Sequence, residues 1–159
     1  MADDPYGKAL LAAQVTAITA GLWPAPRRWP LPPPVTAGAA LLALGGGAIG
    51  LAGLAALGGR FRPGPAPAPD AVLRTEGMYG RVRHPMYTSL LTAGSGIAVL
   101  RARPEPFGAL VALGVALGLK IKHEERLLRD RFGEAYDSYA DEVPALVPRL
   151  TRAARETSA

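Results

Sequence analysis

Two short polar clusters interrupt a largely apolar sequence, and each abuts a long uncharged run. The first reads Gly77-Met78-Tyr79-Gly80-Arg81-Val82-Arg83-His84-Pro85-Met86-Tyr87. Proline is tolerated in a first helical turn because its missing N–H has no intrahelical partner there. Pro85 therefore predicts a helix start with Arg83 and His84 at its mouth, where exposed amides favour an anion. Tyr87 comes three residues after His84 and shares that side of the turn. These groups suit holding a carboxylate and stacking or hydrogen-bonding against a flat ligand. An interfacial anchor of aromatic and basic groups is the plainer alternative.

The second cluster is Lys120-Ile121-Lys122-His123-Glu124-Glu125, with no helix breaker before it. Lys120 and Glu124 are four apart and fall on one helix face. Glu125 and Arg129 repeat that spacing and read as a solvated surface pair. Adjacent acids on a helix point apart, which makes them a poor glycosidase-type pair. A lone acid at the mouth of a membrane segment suits an amine or a ribose hydroxyl. Both clusters together would complement an amino-acid-like ligand.

Several function classes are disfavoured at once. The chain has no cysteine, so thiolate nucleophiles, disulfide scaffolds and cysteine metal sites are excluded. His84 and His123 lie 39 positions apart, and no metal site is expected. A net charge of +5 is compatible with nucleic acid or anionic lipid. The basic residues fall in the breaks between apolar runs and show no interleaving with aromatics, so anionic membrane lipid is the expected partner and nucleic acid is not.

The elements that must carry these clusters are apolar and predicted to be helical. Hydrophobic residues make up 49% of the chain and charged ones only 19%, below the roughly 25% usual for soluble domains. An uncharged run of 18 residues lies between Lys8 and Arg27; it has no basic leader, so a cleaved signal peptide is the lesser reading. The next run, Trp29 to Gly59, predicts a helix from after Pro34 to Leu57, about 34 Å long and sufficient for a bilayer core. From Val35 to Leu57 only Thr36 carries a polar side chain, so no solvent face exists for a soluble four-helix bundle. Gly45, Gly46, Gly47, Gly50 and Gly53 suit close helix packing in lipid, within one chain or between chains. Pro85–Leu100 and Pro106–Leu119 are shorter and read as a membrane hairpin.

The expected architecture is an all-α integral membrane protein, a single domain over residues 1–159 with four transmembrane helices. Placing the N-terminus, the 60–84 connection and the tail on one side collects 14 of the basic residues there and leaves 4 opposite. The positive-inside rule then puts that side in the cytoplasm. The connection opens with alternating prolines, Pro63 to Pro69, which favour an extended loop. After the second cluster, Ile121, Leu128, Phe132, Tyr136, Tyr139 and Val143 mark a cytosolic amphipathic helix with an interruption near Gly133. Pro144-Ala145-Leu146-Val147-Pro148 reads as a turn back to the membrane surface, with a tail from Thr151.

The ordered motifs resemble the isoprenylcysteine carboxyl methyltransferase and phospholipid methyltransferase superfamily of integral membrane enzymes. The resemblance covers residues 70–148: Leu73-Arg74-Thr75-Glu76-Gly77-Met78-Tyr79, Arg83-His84-Pro85-Met86-Tyr87, Glu124-Glu125-Arg126-Leu127-Leu128, Phe132-Gly133-Glu134-Ala135-Tyr136, Tyr139, Val143-Pro144 and Pro148. It implies S-adenosylmethionine bound at the cytosolic ends of the last two spans, contacted by Tyr79, His84, Pro85, Met86, Tyr87 and Glu124 with backbone near Val72 and Leu73. Lys120 stands where the isoprenylcysteine enzymes carry a substrate-facing arginine; it keeps the charge without the bidentate fork.

The expected reaction is methyl transfer to a lipophilic membrane acceptor, foremost an isoprenylcysteine or isoprenoid carboxylate. Arg83 or Lys120 would orient that carboxylate, and His84 would position the donor or serve as a base. N-methylation of a phospholipid or other membrane amine, a nicotinamide-dependent membrane reductase and a non-enzymatic membrane scaffold are the competing readings.

Overall fold

The computed structural model describes residues 4–57 and 72–149. Among these the chain is all-helical: α1 (Pro5–Leu22), α2 (Pro33–Leu57), a one-turn 3₁₀ helix (Gly77–Gly80), α3 (Pro85–Arg101), α4 (Glu105–Phe132) and α5 (Glu134–Glu142). The proline-rich stretch from Arg60 to Pro69 and the tail from Thr151 lie outside the described residues.

Local chemistry sets the helix ends. Asp4 caps α1 by accepting from the Gly7 amide at 2.9 Å, and Pro5 occupies the first turn. α2 starts at Pro33, slightly earlier than expected, with its two opening prolines in the tolerated first turn. His84 precedes α3, and Pro85 opens it as predicted. The fourth apolar run, the second polar cluster and the start of the amphipathic stripe form one 28-residue helix, α4, about 42 Å long. Gly133, at φ +53°, ends α4 and starts α5, a backbone conformation that glycine adopts without a Cβ penalty.

α2 and α4 are long and apolar enough to cross a membrane. Only Ala39, Gly46 and Gly53 of α2 are buried. Its Leu41, Leu44 and Leu51 each remain about 70% exposed, which is not how the covered core helix of a soluble bundle behaves.

Helix α2 packs chiefly on α3, α3 also packs on α4, and α1 packs on α4 with a smaller contact to α3. The α2–α3 contact is a seam of small residues. A Cβ on Gly46 would overlap the Ala93 backbone, one on Gly96 would overlap Ala39 and Ala43, and one on Gly53 would lie 3.3 Å from Pro85. A Cβ on Gly45 or Gly47 would meet nothing within 4 Å among the described residues, so the predicted glycine contacts hold at Gly46, Gly50 and Gly53 but not at those two.

The ends of the helices sort into two groups. Asp4 of α1 touches His123 of α4, Gly53 of α2 faces Pro85, and His84 touches Glu124. At the far end, Arg28 pairs with Glu105, and Arg101 donates to the Leu22 and Trp23 carbonyls. The start of α1, the end of α2, the start of α3 and the second cluster therefore share one end of the bundle.

Candidate functional site

The two polar clusters meet, although 37 residues of sequence separate Tyr87 from Glu124. Tyr87 is carried inward on the first turn of α3, and its hydroxyl donates to Glu124 Oε1 at 2.5 Å. The His84 ring stacks on the Tyr87 ring, 6° from parallel with centroids 5.5 Å apart. His84 Nδ1 lies 3.6 Å from Glu124 Oε2 and Nε2 lies 3.3 Å from Glu125 Oε1, so the imidazole stands between two carboxylates. The Lys120 ammonium is 5.3 Å from the Tyr87 ring centroid, within cation–π range. Two carboxylates thus face two cations, Arg83 and Lys120, with the imidazole in the middle.

The remaining predicted positions divide. Tyr79, half-buried on the 3₁₀ helix, has its phenol pushed above the ordinary range by burial and by the Glu124 carboxylate, so it stays a neutral donor. Pro85 is fully buried and, with Met86, packs toward Gly53 of α2. Leu73 packs against Tyr136, Tyr139 and Val143. The Val72 side chain is exposed.

Arg83 differs from expectation. Its Nε and Nη2 donate to Glu125 Oε1 at 3.0 and 2.7 Å, while Nη1 donates to the Ala140 carbonyl at 2.7 Å and also to that of Val143. The guanidinium ties α4 to the end of α5. Glu125 is likewise not the solvated partner of Arg129 that its spacing suggests. It is buried, and its close partners are Arg83 and His84, with Arg129 at 3.6 Å. A helix-surface rule sees only the neighbour four residues away.

The segment after α5 closes over the site. The Arg83 and His84 amides donate to the Pro144 and Ala145 carbonyls at 2.9 and 3.0 Å, and the Thr88 hydroxyl donates to Leu146 O at 2.7 Å. Leu146 packs on the cluster that contains Tyr87 and Leu117. The Tyr139 hydroxyl donates to Tyr79 O at 2.7 Å. Thr88 and Glu125 were not singled out from the sequence as members of this site, and nothing local in their spacing marks them.

Comparison with known proteins supplies independent support. No protein-family profile matches the chain. Over 77 residues, 48% of the chain, it is 35% identical to protein-S-isoprenylcysteine O-methyltransferase B of Arabidopsis thaliana. It is 33% identical over 88 residues to methanethiol S-methyltransferase of Pseudomonas deceptionensis and 33% identical over 75 residues to methanethiol S-methyltransferase 1 of Bradyrhizobium diazoefficiens. The matched stretches span 39%, 33% and 26% of those relatives. These similarities bear out the resemblance of the chain to the isoprenylcysteine-methyltransferase-like superfamily of membrane methyltransferases.

Proposed function

We propose that the chain transfers a methyl group from S-adenosylmethionine to a membrane-associated acceptor with an anionic nucleophile. The observation that carries this reading is the convergence of His84, Tyr87 and Glu124 at one end of an apolar helix bundle. A partly buried carboxylate, Glu124, beside stacked rings fits this donor, which bears hydroxyls, an ammonium group, a sulfonium and a flat base. The donor, when bound, supplies a methyl carbon that is already electrophilic, so little acid–base machinery is required.

The chain's own residues then bind, orient and exclude water. Glu124 accepts hydrogen bonds, Tyr87 and His84 offer a flat face, and Glu125 holds the far nitrogen of His84. Leu146 and the segment around it keep bulk water from this face. Lys120 orients the acceptor, a role the sequence shared between Lys120 and Arg83; the Arg83 donors are engaged elsewhere.

An isoprenylcysteine-type carboxylate is the first reading of the acceptor. A thiolate is the second, favoured by the two methanethiol relatives. The Lys120 cation argues against a protonated membrane amine.

The setting is a multi-pass membrane one, with α1 and α3 completing four spans beside α2 and α4. α3, at 17 residues or about 25 Å, spans with local thinning. The site end faces the cytoplasm because most basic residues of the sequence cluster there.

Isothermal titration of the full chain in detergent with S-adenosylhomocysteine tests the reading. Wild type is expected to bind, and His84→Ala and Glu124→Gln to weaken binding about tenfold or more. Asp130→Asn, at an exposed position on α4, is expected to leave it unchanged. A folded wild-type chain without affinity for this ligand would overturn the proposal.

A further inference from the structure

Lys120 is buried, and its ammonium is held between helices. Its Nζ donates to Gln14 Oε1 on α1 at 3.0 Å and faces the Tyr87 ring on α3. Gln14 is the only carboxamide side chain in α1. An amide in so apolar a helix is costly unless bonded, and its contact with Lys120 is the one that accounts for it. An ammonium only donates, so the Gln14 carbonyl must face it and the NH₂ must lie on the other branch of the same planar group. That NH₂ has no hydrogen-bond partner among the described residues. The pair therefore presents N–H groups from two helices side by side.

The surroundings give this pair an orientation. On α1, Ala17, Ile18 and Gly21 follow Gln14 at helical spacing; on α4, Leu113 and Leu110 lie below Lys120. These residues line an apolar cavity of about 190 Å³ between α1, α3 and α4. The lining begins at Ala17, one turn from Gln14, and at Leu113, two turns from Lys120, and runs from there toward the opposite end of the bundle. An anionic head at the pair with an apolar chain directed toward the cavity is the layout of an amphiphile.

We infer that Gln14 is a positioning residue for the acceptor: it fixes the Lys120 ammonium, and together they receive a carboxylate or thiolate and reject a protonated amine. The inference rests on the methyl-transfer reading above for its reaction. There the acceptor anion forms the new bond to carbon as the donor's carbon–sulfur bond breaks. The negative charge of the acceptor and the positive charge of the donor cancel, and no proton leaves.

The test is titration of the full chain in detergent, with saturating S-adenosylhomocysteine, against hexanoate and hexylamine. Wild type is expected to prefer hexanoate. Gln14→Leu is expected to weaken hexanoate binding about tenfold, the loss of one hydrogen bond to a charged group. Gln14→Glu, which neutralises Lys120, is expected to reverse the preference toward hexylamine, a change that simple loss of packing does not produce. If Gln14→Leu fails to fold, Gln14→Met carries the same comparison. A wild type indifferent to the two probes, or Gln14 variants that bind hexanoate like wild type, overturns the inference. A wild type that binds no S-adenosylhomocysteine overturns methyl transfer instead, and the hexanoate preference and its reversal, read without it, still decide the role of Gln14.

Discussion

At the scale of single residues, Glu124 and Glu125 are neighbours with opposite tasks. Glu124 faces Tyr87 and His84, whereas Glu125 locks Arg83, and through it the carbonyls that end α5. Breaking a buried ion pair by removing one partner leaves an uncompensated charge, which costs about 3 kcal/mol or more. Glu125→Ala is therefore expected to lower the thermal unfolding midpoint in detergent by several degrees, while Glu124→Gln lowers ligand affinity with a smaller effect on stability. Equal stability losses in the two variants would contradict this division. The meeting of His84 with Glu124 was legible in the sequence, because both lie in motifs beside apolar runs. The partner of Arg83 was not, because it lies 42 residues away and Arg129 offered a nearer reading. Gln14 was hidden for the same reason, its partner being 106 residues away.

At the scale of elements, the α2–α3 seam depends on side chains that are missing. Adding a methyl group at Gly46 forces the Ala93 backbone to move, an overpacking cost of about 1–3 kcal/mol. Gly46→Ala is expected to destabilise the chain by that amount in detergent melts, and Gly45→Ala and Gly47→Ala to be neutral or slightly stabilising, since a Cβ added at either meets no other part of the described residues within 4 Å. The glycine-rich composition announced close packing, but which glycines face α3 depends on the rotation of α2. No amphipathic pattern in so uniformly apolar a helix encodes that rotation. α5 supplies the pH-dependent case. Burial, then the negative charge of Glu125, push the Tyr136 phenol up to about 12. The folded state retains a proton that the unfolded chain releases near pH ~10, so this contribution is complete below about pH 10 and is lost as pH rises toward the folded value. The Tyr136 hydroxyl is buried and meets no hydrogen-bond partner of good geometry among the described residues. Tyr136→Phe is thus expected to be near-neutral at pH 7 and to reduce the alkaline loss of stability. Melts showing the same alkaline slope in both proteins would refute this.

At the scale of the molecule, the pairing of helix ends and the distribution of charge make one joint prediction. Thr75, just before the 3₁₀ helix, and Arg27, between α1 and α2, are both exposed. Arg27 adjoins Arg28, which pairs with Glu105 at the end opposite the site, whereas Thr75 leads into the first polar cluster. If the bundle crosses the bilayer with the site in the cytoplasm, a thiol at each position must answer to a reagent from a different side. The absence of native cysteine makes the experiment clean. Thr75→Cys is expected to resist an impermeant maleimide in intact cells and to react after lysis, while Arg27→Cys reacts in intact cells. Labelling of both from outside, or of neither, would break the four-span arrangement. A reversed pattern would keep the spans but turn the bundle over, placing the His84–Glu124 cluster away from cytoplasmic S-adenosylmethionine and removing the donor from reach of the site.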